Sequence, residues 1–170
     1  METYTVKIDD YKTISWYQNG KRHRVGGPAV EHANGSKHWY LNGELHRIDG
    51  PAIEFANGGK FWYLNDKLHR IDGPAIEFAD GAKCWYLNDK CHRTDGPAME
   101  CANGTKFWYL KGELHRVEGP AIEYADGMKR WYLNDKELSE AEFNKQTKVA
   151  TCAGKVVEID GKKYTLTEIA

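Results

Sequence analysis

The six tryptophans of this chain are spaced by 23 residues without exception, at Trp16, Trp39, Trp62, Trp85, Trp108 and Trp131. All five prolines follow the same period, and each one stands between a glycine and an alanine. A fixed period of this length is the signature of a repeat architecture, in which one short supersecondary unit is copied along the chain. The sequence therefore predicts five consecutive units of 23 residues over residues 16–130.

Each unit contains the pattern of a β-hairpin. In residues 51–64, two β-type runs flank Asn57-Gly58, the strongest short-range hairpin signal. Two registers are open: a two-residue Asn-Gly loop, or a three-residue Ala-Asn-Gly loop with the glycine in the left-handed position of a G1 bulge. The second is preferred because it sets Glu54 opposite Lys60, and the same Glu and Lys recur in every unit. It predicts a cross-strand charge pair in each hairpin.

The remaining segment of the unit, exemplified by residues 65–73, is predicted to be a long connection without a tight turn. Proline directly after glycine fits the first position of the returning strand, where its missing N–H costs least. Because one hairpin can bury its tryptophan only against its neighbours, the array needs several units and a cap at each end.

Both ends of the chain carry the pattern of a cap. Residues 3–15 predict two short strands around Asp9-Asp10, and residues 139–142 (Ser-Glu-Ala-Glu) form a capping box that opens a short helix to about Gln146. A final hairpin is predicted at residues 155–167. The predicted organisation is N-terminal capping strands at 1–15, five repeats plus a partial sixth at 16–135, and a C-terminal cap at 136–170. The fold class is all-β, an elongated antiparallel meander or solenoid of hairpins with a small C-terminal helix and hairpin.

Charge and composition exclude several classes of partner. The chain has 24 basic and 25 acidic residues and a formal net charge of −1, so no overall basic field attracts nucleic acid or an anionic membrane. The N-terminal residues lack the regions of a secretion signal, and no apolar run reaches the length of a membrane span, so a cytoplasmic location is predicted.

The four cysteines are predicted to be reduced. Cys84, Cys91 and Cys101 occupy repeat slots that hold leucine or an aromatic residue in other units, so they are expected to act as small apolar side chains. Cys152 follows the repeats. A disulfide ladder or a metal site is the alternative. No metal and no cofactor is predicted.

The unit Trp-Tyr-Leu-Asn-Gly…His-Arg-x-Asp-Gly-Pro-Ala, which recurs through residues 16–135, resembles the MORN repeat, a β-hairpin repeat used as an interaction scaffold. It is more closely similar to the variant of this repeat found in tailed bacteriophages, some bacteria and large DNA viruses. The resemblance implies a hairpin array. By analogy with small phage proteins, it also implies an inhibitor or modulator of a host defence or regulatory protein, acting in the host cytoplasm.

The repeated His-Arg-x-Asp segment has the residue types of an enzyme site, but each group has equivalent copies. Catalysis needs one asymmetric constellation with distinct roles, so no catalytic residue and no enzymatic activity is predicted. The histidines and arginines are instead expected to brace the long connection, through hydrogen bonds to Asp and to backbone carbonyls of the adjacent unit. His32 and His38 fall on the two strands of one hairpin and are expected to be paired surface residues, with a metal site as the alternative.

Two slots of the hairpin vary between units and indicate where a partner binds. They hold His32, Phe55, Phe78, Cys101 and Tyr124, and His38, Phe61, Cys84, Phe107 and Arg130. In the preferred register both slots fall on the sheet face opposite Glu54, Lys60 and Trp62. This stripe is either core or an open surface for protein binding or self-association.

The sequence predicts a non-enzymatic protein-protein interaction module, engaged by the stripe or by an exposed strand edge. The predicted anchors are its aromatic residues, Phe55, Phe61, Phe78, Phe107 and Tyr124. The alternative is a nucleotide or nucleic-acid binder that uses the arginines of the repeated segment, Arg24, Arg47, Arg70, Arg93 and Arg116.

Overall fold

A computed structural model of the chain describes residues 3–147, 156–159 and 162–165. In chain order, the strands of its first half are β1 (Thr5–Ile8), β2 (Ile14–Gln18), β3 (Lys21–Arg22), β4 (Val30–Glu31), β5 (Lys37–His38), β6 (Tyr40–Leu41), β7 (Glu44–Leu45), β8 (Ile53–Glu54), β9 (Lys60–Phe61), β10 (Tyr63–Leu64), β11 (Lys67–Leu68), β12 (Ile76–Glu77), β13 (Lys83–Cys84), β14 (Tyr86–Leu87) and β15 (Lys90–Cys91). They are followed by β16 (Met99–Glu100), β17 (Lys106–Phe107), β18 (Tyr109–Leu110), β19 (Glu113–Leu114), β20 (Ile122–Glu123), β21 (Lys129–Leu133), β22 (Lys136–Leu138), helix α1 (Glu140–Thr147), β23 (Val156–Ile159) and β24 (Lys162–Thr165).

The described strands form one long antiparallel sheet with small ribbons beside it. The sheet has 14 strands in the order β1-β2-β4-β5-β8-β9-β12-β13-β16-β17-β20-β21-β22, with β3 paired to β2. The accessible surface of 11,414 Å² is well above the roughly 8,500 Å² expected for a compact protein of this mass. These findings confirm the predicted all-β, elongated meander of hairpins.

The register within each hairpin is the preferred one. Ile53 pairs with Phe61 and Glu54 with Lys60, which leaves a loop of three residues after Phe55. The Gly58 amide donates to the Phe55 carbonyl at 2.9 Å, and Gly58 has a φ of +94°, the left-handed conformation of the G1 bulge. Successive hairpins join in the same register, because β9 pairs with β12 by the same alternation.

The segment after each hairpin differs from the prediction of a long connection without a tight turn. This segment begins with a second, smaller ribbon of two strands, in which Tyr63 pairs with Leu68 and Leu64 pairs with Lys67. Its turn residues, Asn65 and Asp66, have φ values of +51° and +62°, as a type I′ turn requires. Asparagine and aspartate tolerate this conformation, so the two residues that follow Tyr-Leu reverse the chain at once.

Burial is shallow and divided between the two faces of the sheet. The alanine that follows each proline is fully buried, as at Ala52 and Ala75. The next residue, such as Ile53 or Ile76, is also buried but points to the other face because side chains alternate along a strand. Each face therefore has a thin apolar layer.

Both ends of the array carry additional elements, and at the N-terminal end the second predicted strand runs into the first repeat, since β2 spans Ile14–Gln18. Strand β1 pairs with β2, and the turn between them is fixed by the Asp9 carboxylate, which accepts the amides of Tyr11 and Thr13 at 3.0 and 2.9 Å. At the other end, the Ser139 amide donates to the Glu142 carboxylate at 2.9 Å, and the Glu142 amide donates to Ser139 Oγ at 3.3 Å.

This reciprocal pair is the predicted capping box. Helix α1 packs against β21 and β22 and buries Phe143. Strands β23 and β24 pair as the predicted final hairpin, while Cys152 lies outside the described residues. Within the described part of the chain, no helix has the length and hydropathy needed to cross a membrane.

Candidate functional site

One face of the sheet is built around a stack of arginine on tryptophan, and we call it the Trp–Arg face. In every unit the guanidinium of the His-Arg segment lies over the ring of the tryptophan that starts the unit, at 3.9–4.1 Å from its centroid. The glycine after each segment lets the arginine approach, since a Cβ at Gly50 would lie 2.9 Å from Cζ of Arg47. The connection is therefore folded back onto the sheet.

Each of these arginines is also held by carboxylates and a carbonyl. Arg47 Nη1 donates to Glu54 at 2.9 Å and to the Pro51 carbonyl at 3.2 Å, and its Nε donates to Asp49 at 3.0 Å. The Glu partner recurs in all five units at 2.8–3.2 Å, and the Asp partner in three. The guanidinium lowers the pKa of Asp49 through this hydrogen bond and its charge.

The predicted charge pair between glutamate and lysine is wrong in its basic partner, which is arginine. Glu54 stands opposite Lys60 in the register, but among the described residues none of the ion pairs in this row joins glutamate to lysine. Arginine reaches the carboxylate because the connection folds over the strand, which is a tertiary contact that the hairpin register does not reveal.

The histidines brace neighbouring units, but through asparagine and not through aspartate. His46 Nδ1 lies 2.8 Å from Oδ1 of Asn65 and 3.3 Å from the Asn65 backbone nitrogen, in the next unit. In the fifth unit the asparagine slot holds Lys111, and Nδ1 of His92, in the fourth unit, accepts only the Lys111 backbone amide at 3.0 Å. The arginines bond to the adjacent unit as predicted, since the Arg47 backbone amide donates to the Tyr63 carbonyl of the next unit at 3.2 Å, while its side chain bonds within its own unit.

The arginines proposed for anion binding are thus internal ties. Their side chains are only 21–32% exposed and each has at least one carboxylate partner. A phosphate would have to compete with these carboxylates and with the tryptophan ring. Nucleotide or nucleic-acid binding by this row stays a prediction that no contact described here favours.

The opposite face carries the variable slots, as predicted, and we call it the aromatic face. Phe55 and Phe61 meet edge to face with ring centroids 5.1 Å apart, and Phe61 meets Phe78 in the same way at 5.5 Å. His38 extends the row from Phe55 at 6.3 Å. The structure thus brings three of the predicted anchors into one continuous row.

The other two predicted anchors form a separate cluster. Phe107 and Tyr124 have ring centroids 6.5 Å apart. Between the two clusters the variable slots hold Cys84 and Cys101. Cys84 lies opposite Met99 where strands β13 and β16 pair. Cys84 and Cys91 are buried, and burial raises the pKa of their thiols to about 11 and about 12.

Sequence reasoning missed a row of tyrosines on the aromatic face. The tyrosine after each tryptophan lies two residues beyond a variable slot and shares its face, and Phe107 stacks on Tyr109 at 6.5 Å. Burial is the main cause that raises the pKa of Tyr63, Tyr86 and Tyr109. The period of two from the variable slots was the signal that could have identified this row.

The aromatic face is partly core and partly surface, so both readings of the stripe apply. Ile53 is only 8% exposed, whereas Phe55 and Phe78 remain 38% and 43% exposed. These two phenylalanines make ring contacts within the row while part of each side chain stays exposed to solvent.

The two histidines of the first hairpin do approach each other, with ring centroids 4.8 Å apart. Burial, the charge of His32 and the charge of Arg22 lower the pKa of His38, in that order of size. Within the described ranges, no group of three or more potential metal ligands comes together. The pair lies at one end of the aromatic row, because His38 also contacts the Phe55 ring.

A second feature that sequence reasoning missed lies at the tip of each His-Arg-x-Asp-Gly connection, which we call the loop ridge. The x residue is strongly exposed although it is apolar in four units, at 64% for Val25, 86% for Ile48, 86% for Ile71 and 55% for Val117. A β-branched residue at the same slot in all five units, including Thr94, was the available signal.

Comparison with known proteins gives no assignment, since no protein-family model and no curated protein matches the chain. The resemblance to MORN repeats therefore stays a prediction that rests on the repeated residues themselves.

Proposed function

We propose that this chain is a non-enzymatic protein-binding module and that its contact surface is the aromatic face. The observation that carries the proposal is the continuous row from His38 to Phe78, whose rings support one another while Phe55 and Phe78 stay exposed. Aromatic side chains fixed at the centre of a surface are the residues that contribute most to protein interfaces.

The packing of the row favours binding because its side chains are already ordered. Edge-to-face pairs contribute roughly 0.5–1.5 kcal/mol beyond the area they bury. Phe61 holds Phe55 on one side and Phe78 on the other, so a partner that docks on them costs little additional side-chain entropy. On the Trp–Arg face the charged groups are instead engaged with one another.

The absence of enzymatic activity is part of the proposal and rests on the equivalence of the units. The His, Arg and Asp groups make the same contacts in successive units, as at residues 46–49 and 69–72. A reaction centre needs one unit to differ from the rest in its acid, base and positioning groups.

The partner proposed is a host protein, and the role proposed is that of a phage-type inhibitor or modulator of defence in the host cytoplasm. The resemblance of the repeat to the phage variant of MORN repeats supports this part. Self-association through the same face is the competing use of the surface.

The test is an affinity capture from bacterial lysate with three proteins: the wild type, Phe55→Ala/Phe78→Ala, and the control Lys60→Ala/Lys83→Ala on the opposite face. Capture is repeated at about 50 and about 200 mM salt, because phosphate-driven binding weakens steeply over this range. We expect a protein that is retained at both salt concentrations, lost with the phenylalanine variant and kept with the lysine variant.

Two other results would contradict the proposal. Recovery of nucleic acid alone, lost at high salt and unchanged in the phenylalanine variant, would favour the arginine row. A wild-type protein that captures only itself, and sediments as a dimer that the phenylalanine variant abolishes, would assign the aromatic face to self-association.

A further inference from the structure

The loop ridges enclose a series of open grooves on the Trp–Arg side of the sheet. Four such grooves follow one another, each between two successive connections and each with a tryptophan in its lining. The two largest have volumes of about 790 and about 740 Å³ and share the connection at residues 69–72 as their common wall. Together they form a corrugated track along the repeat axis.

The walls of this track expose apolar side chains that the fold itself does not use. Ile48 and Ile71 are both 86% exposed and line the same groove, with Trp62 between them. Exposing an isoleucine to this extent leaves the free energy that its burial would contribute unrealised. A regular row of such side chains marks a contact surface.

The same ridges present one carboxylate per unit. Asp49, Asp72 and Asp95 have side-chain exposures of 84%, 83% and 78%, and Glu118 lies in the equivalent slot. Within the described part of the chain, each of these aspartates accepts a hydrogen bond from arginine through one carboxylate oxygen, Oδ1. The partner that complements this track therefore alternates apolar and basic groups.

The spacing of the units selects the conformation of that partner. Each unit adds two strands to the sheet, hence about 9.6 Å along the array at 4.7–4.9 Å per strand. A polyproline II helix rises about 3.1 Å per residue with three residues per turn, so one turn advances about 9.3 Å. Every third residue of such a peptide therefore lies at the same position against each successive unit, because the length of one turn matches the length of one unit. A β-strand places every third residue on the opposite side, and an α-helix of about 10 Å diameter is too wide to follow successive grooves closely.

We propose that this track binds an extended, proline-rich peptide in the polyproline II conformation, with a basic residue at every third position. The prolines lie against the ridge isoleucines and the groove tryptophans, as in other aromatic-lined grooves that accept this conformation. The basic residues pair with the ridge carboxylates. This site lies on the face opposite the aromatic face and does not depend on the function proposed above.

The test is fluorescence anisotropy with two labelled peptides of identical composition: (Pro-Pro-Arg)5, and a peptide with all its prolines followed by all its arginines. We expect saturable binding of the periodic peptide to the full chain at one peptide per chain, about tenfold tighter than that of the clustered peptide. Equal affinity for both peptides would overturn the proposal, because charge alone would then explain binding. Absence of saturable binding would overturn it as well.

Variants of the ridges locate the site. Ile48→Ser/Ile71→Ser is expected to weaken binding of the periodic peptide about tenfold, and Asp49→Asn/Asp72→Asn to weaken it and flatten its salt dependence. Both pairs are exposed, and equal melting temperatures confirm that the variants fold. The control Phe55→Ala/Phe78→Ala should bind as the wild type does. Unchanged binding in the ridge variants would contradict the site, whereas loss confined to the phenylalanine variant would move the peptide to the aromatic face.

Discussion

The two faces of the sheet use the repeat in opposite ways. On the Trp–Arg face the contacts are nearly identical in all five units, with the arginine at 3.9–4.1 Å from the tryptophan ring. On the aromatic face one slot changes from His38 to Phe61, Cys84, Phe107 and Arg130. Several directional bonds to one guanidinium leave no freedom to substitute, whereas apolar packing tolerates exchange of side chains of similar character. The constant face holds the array together, and the variable face is free to acquire a partner.

The largest expected effect comes from breaking the constant face in one central unit. Arg70→Ala removes the stack on Trp62 at 4.1 Å, and the hydrogen bonds to Glu77 and to the Pro74 carbonyl. We expect the free energy of unfolding, from urea titration, to fall by about 2–3 kcal/mol. Arg70→Lys should recover little of it, because an ammonium group cannot form the same planar, branched set of contacts.

Arg130 is the matched control for this change. Its side chain is half exposed, and its ion pair with Glu137 is long, at 3.5 Å. Arg130→Ala is therefore expected to leave the urea midpoint unchanged. Equal losses in the Arg70 and Arg130 variants would show that the tryptophan stack does not hold the units together.

The second prediction concerns the aromatic face and compares two phenylalanines in contact. Phe61→Ala removes the ring between Phe55 and Phe78 and is expected to cost about 2 kcal/mol of unfolding free energy, whereas Phe55→Ala should cost about 1 kcal/mol because its ring is already 38% exposed. Urea titration of both variants checks the order. The reverse order would mean that Phe55 is the structural member of the pair and Phe61 the free one.

The third prediction uses pH to examine the first hairpin. The pKa of His38 is lowered by burial, His32 and Arg22, so the unfolded chain takes up the proton first as pH falls. Stability is therefore full above the ordinary value of 6.5 and declines as pH falls from there through the lowered pKa of the folded state. The melting temperature should decrease between about pH 7.5 and about pH 5.5.

His38→Phe supplies the control, because phenylalanine occupies this slot in two other units. The variant should melt higher and lose most of the decrease over the same pH interval. A pH dependence that is identical in both proteins would assign it to other groups.

The smallest expected effect is a gain of stability on the constant face. Lys111 has a φ of +56° in a slot where three of the units have asparagine hydrogen-bonded to the preceding histidine. Lys111→Asn suits the left-handed conformation better than lysine does, for an expected gain of about 0.5–1 kcal/mol in urea titration. The matched change Lys90→Asn, in a slot of the ribbon that follows the turn, should give no gain.

What the sequence could predict was decided by local chemistry. The Ala56-Asn57-Gly58 turn fixes the register, the register fixes which face Phe55 and Phe61 share, and Ser139 with Glu142 fixes the start of the helix. Each of these depends on residues close together in the chain.

The features that were missed arise mostly between distant segments. Arg47 reaches Glu54 because the whole connection folds back, and His46 finds Asn65 in the next unit. The exposure of Ile48 follows from the same fold of the connection. The second ribbon was within reach of local reasoning, since Asn-Gly favours a type I′ turn and both Asn and Asp tolerate its positive φ values. The period of two that places the tyrosines and the β-branched slot of the loop ridge were local signals as well.

The most direct test of the central claim, that the aromatic face binds a protein, is photo-crosslinking from single positions on the two faces. Benzoylphenylalanine is placed at Phe78 in one protein and at Lys83, on the Trp–Arg face, in the other. Irradiation in bacterial lysate is predicted to give a protein adduct from position 78 that position 83 does not give. Adducts from position 83 alone would contradict the account and place the partner on the opposite face.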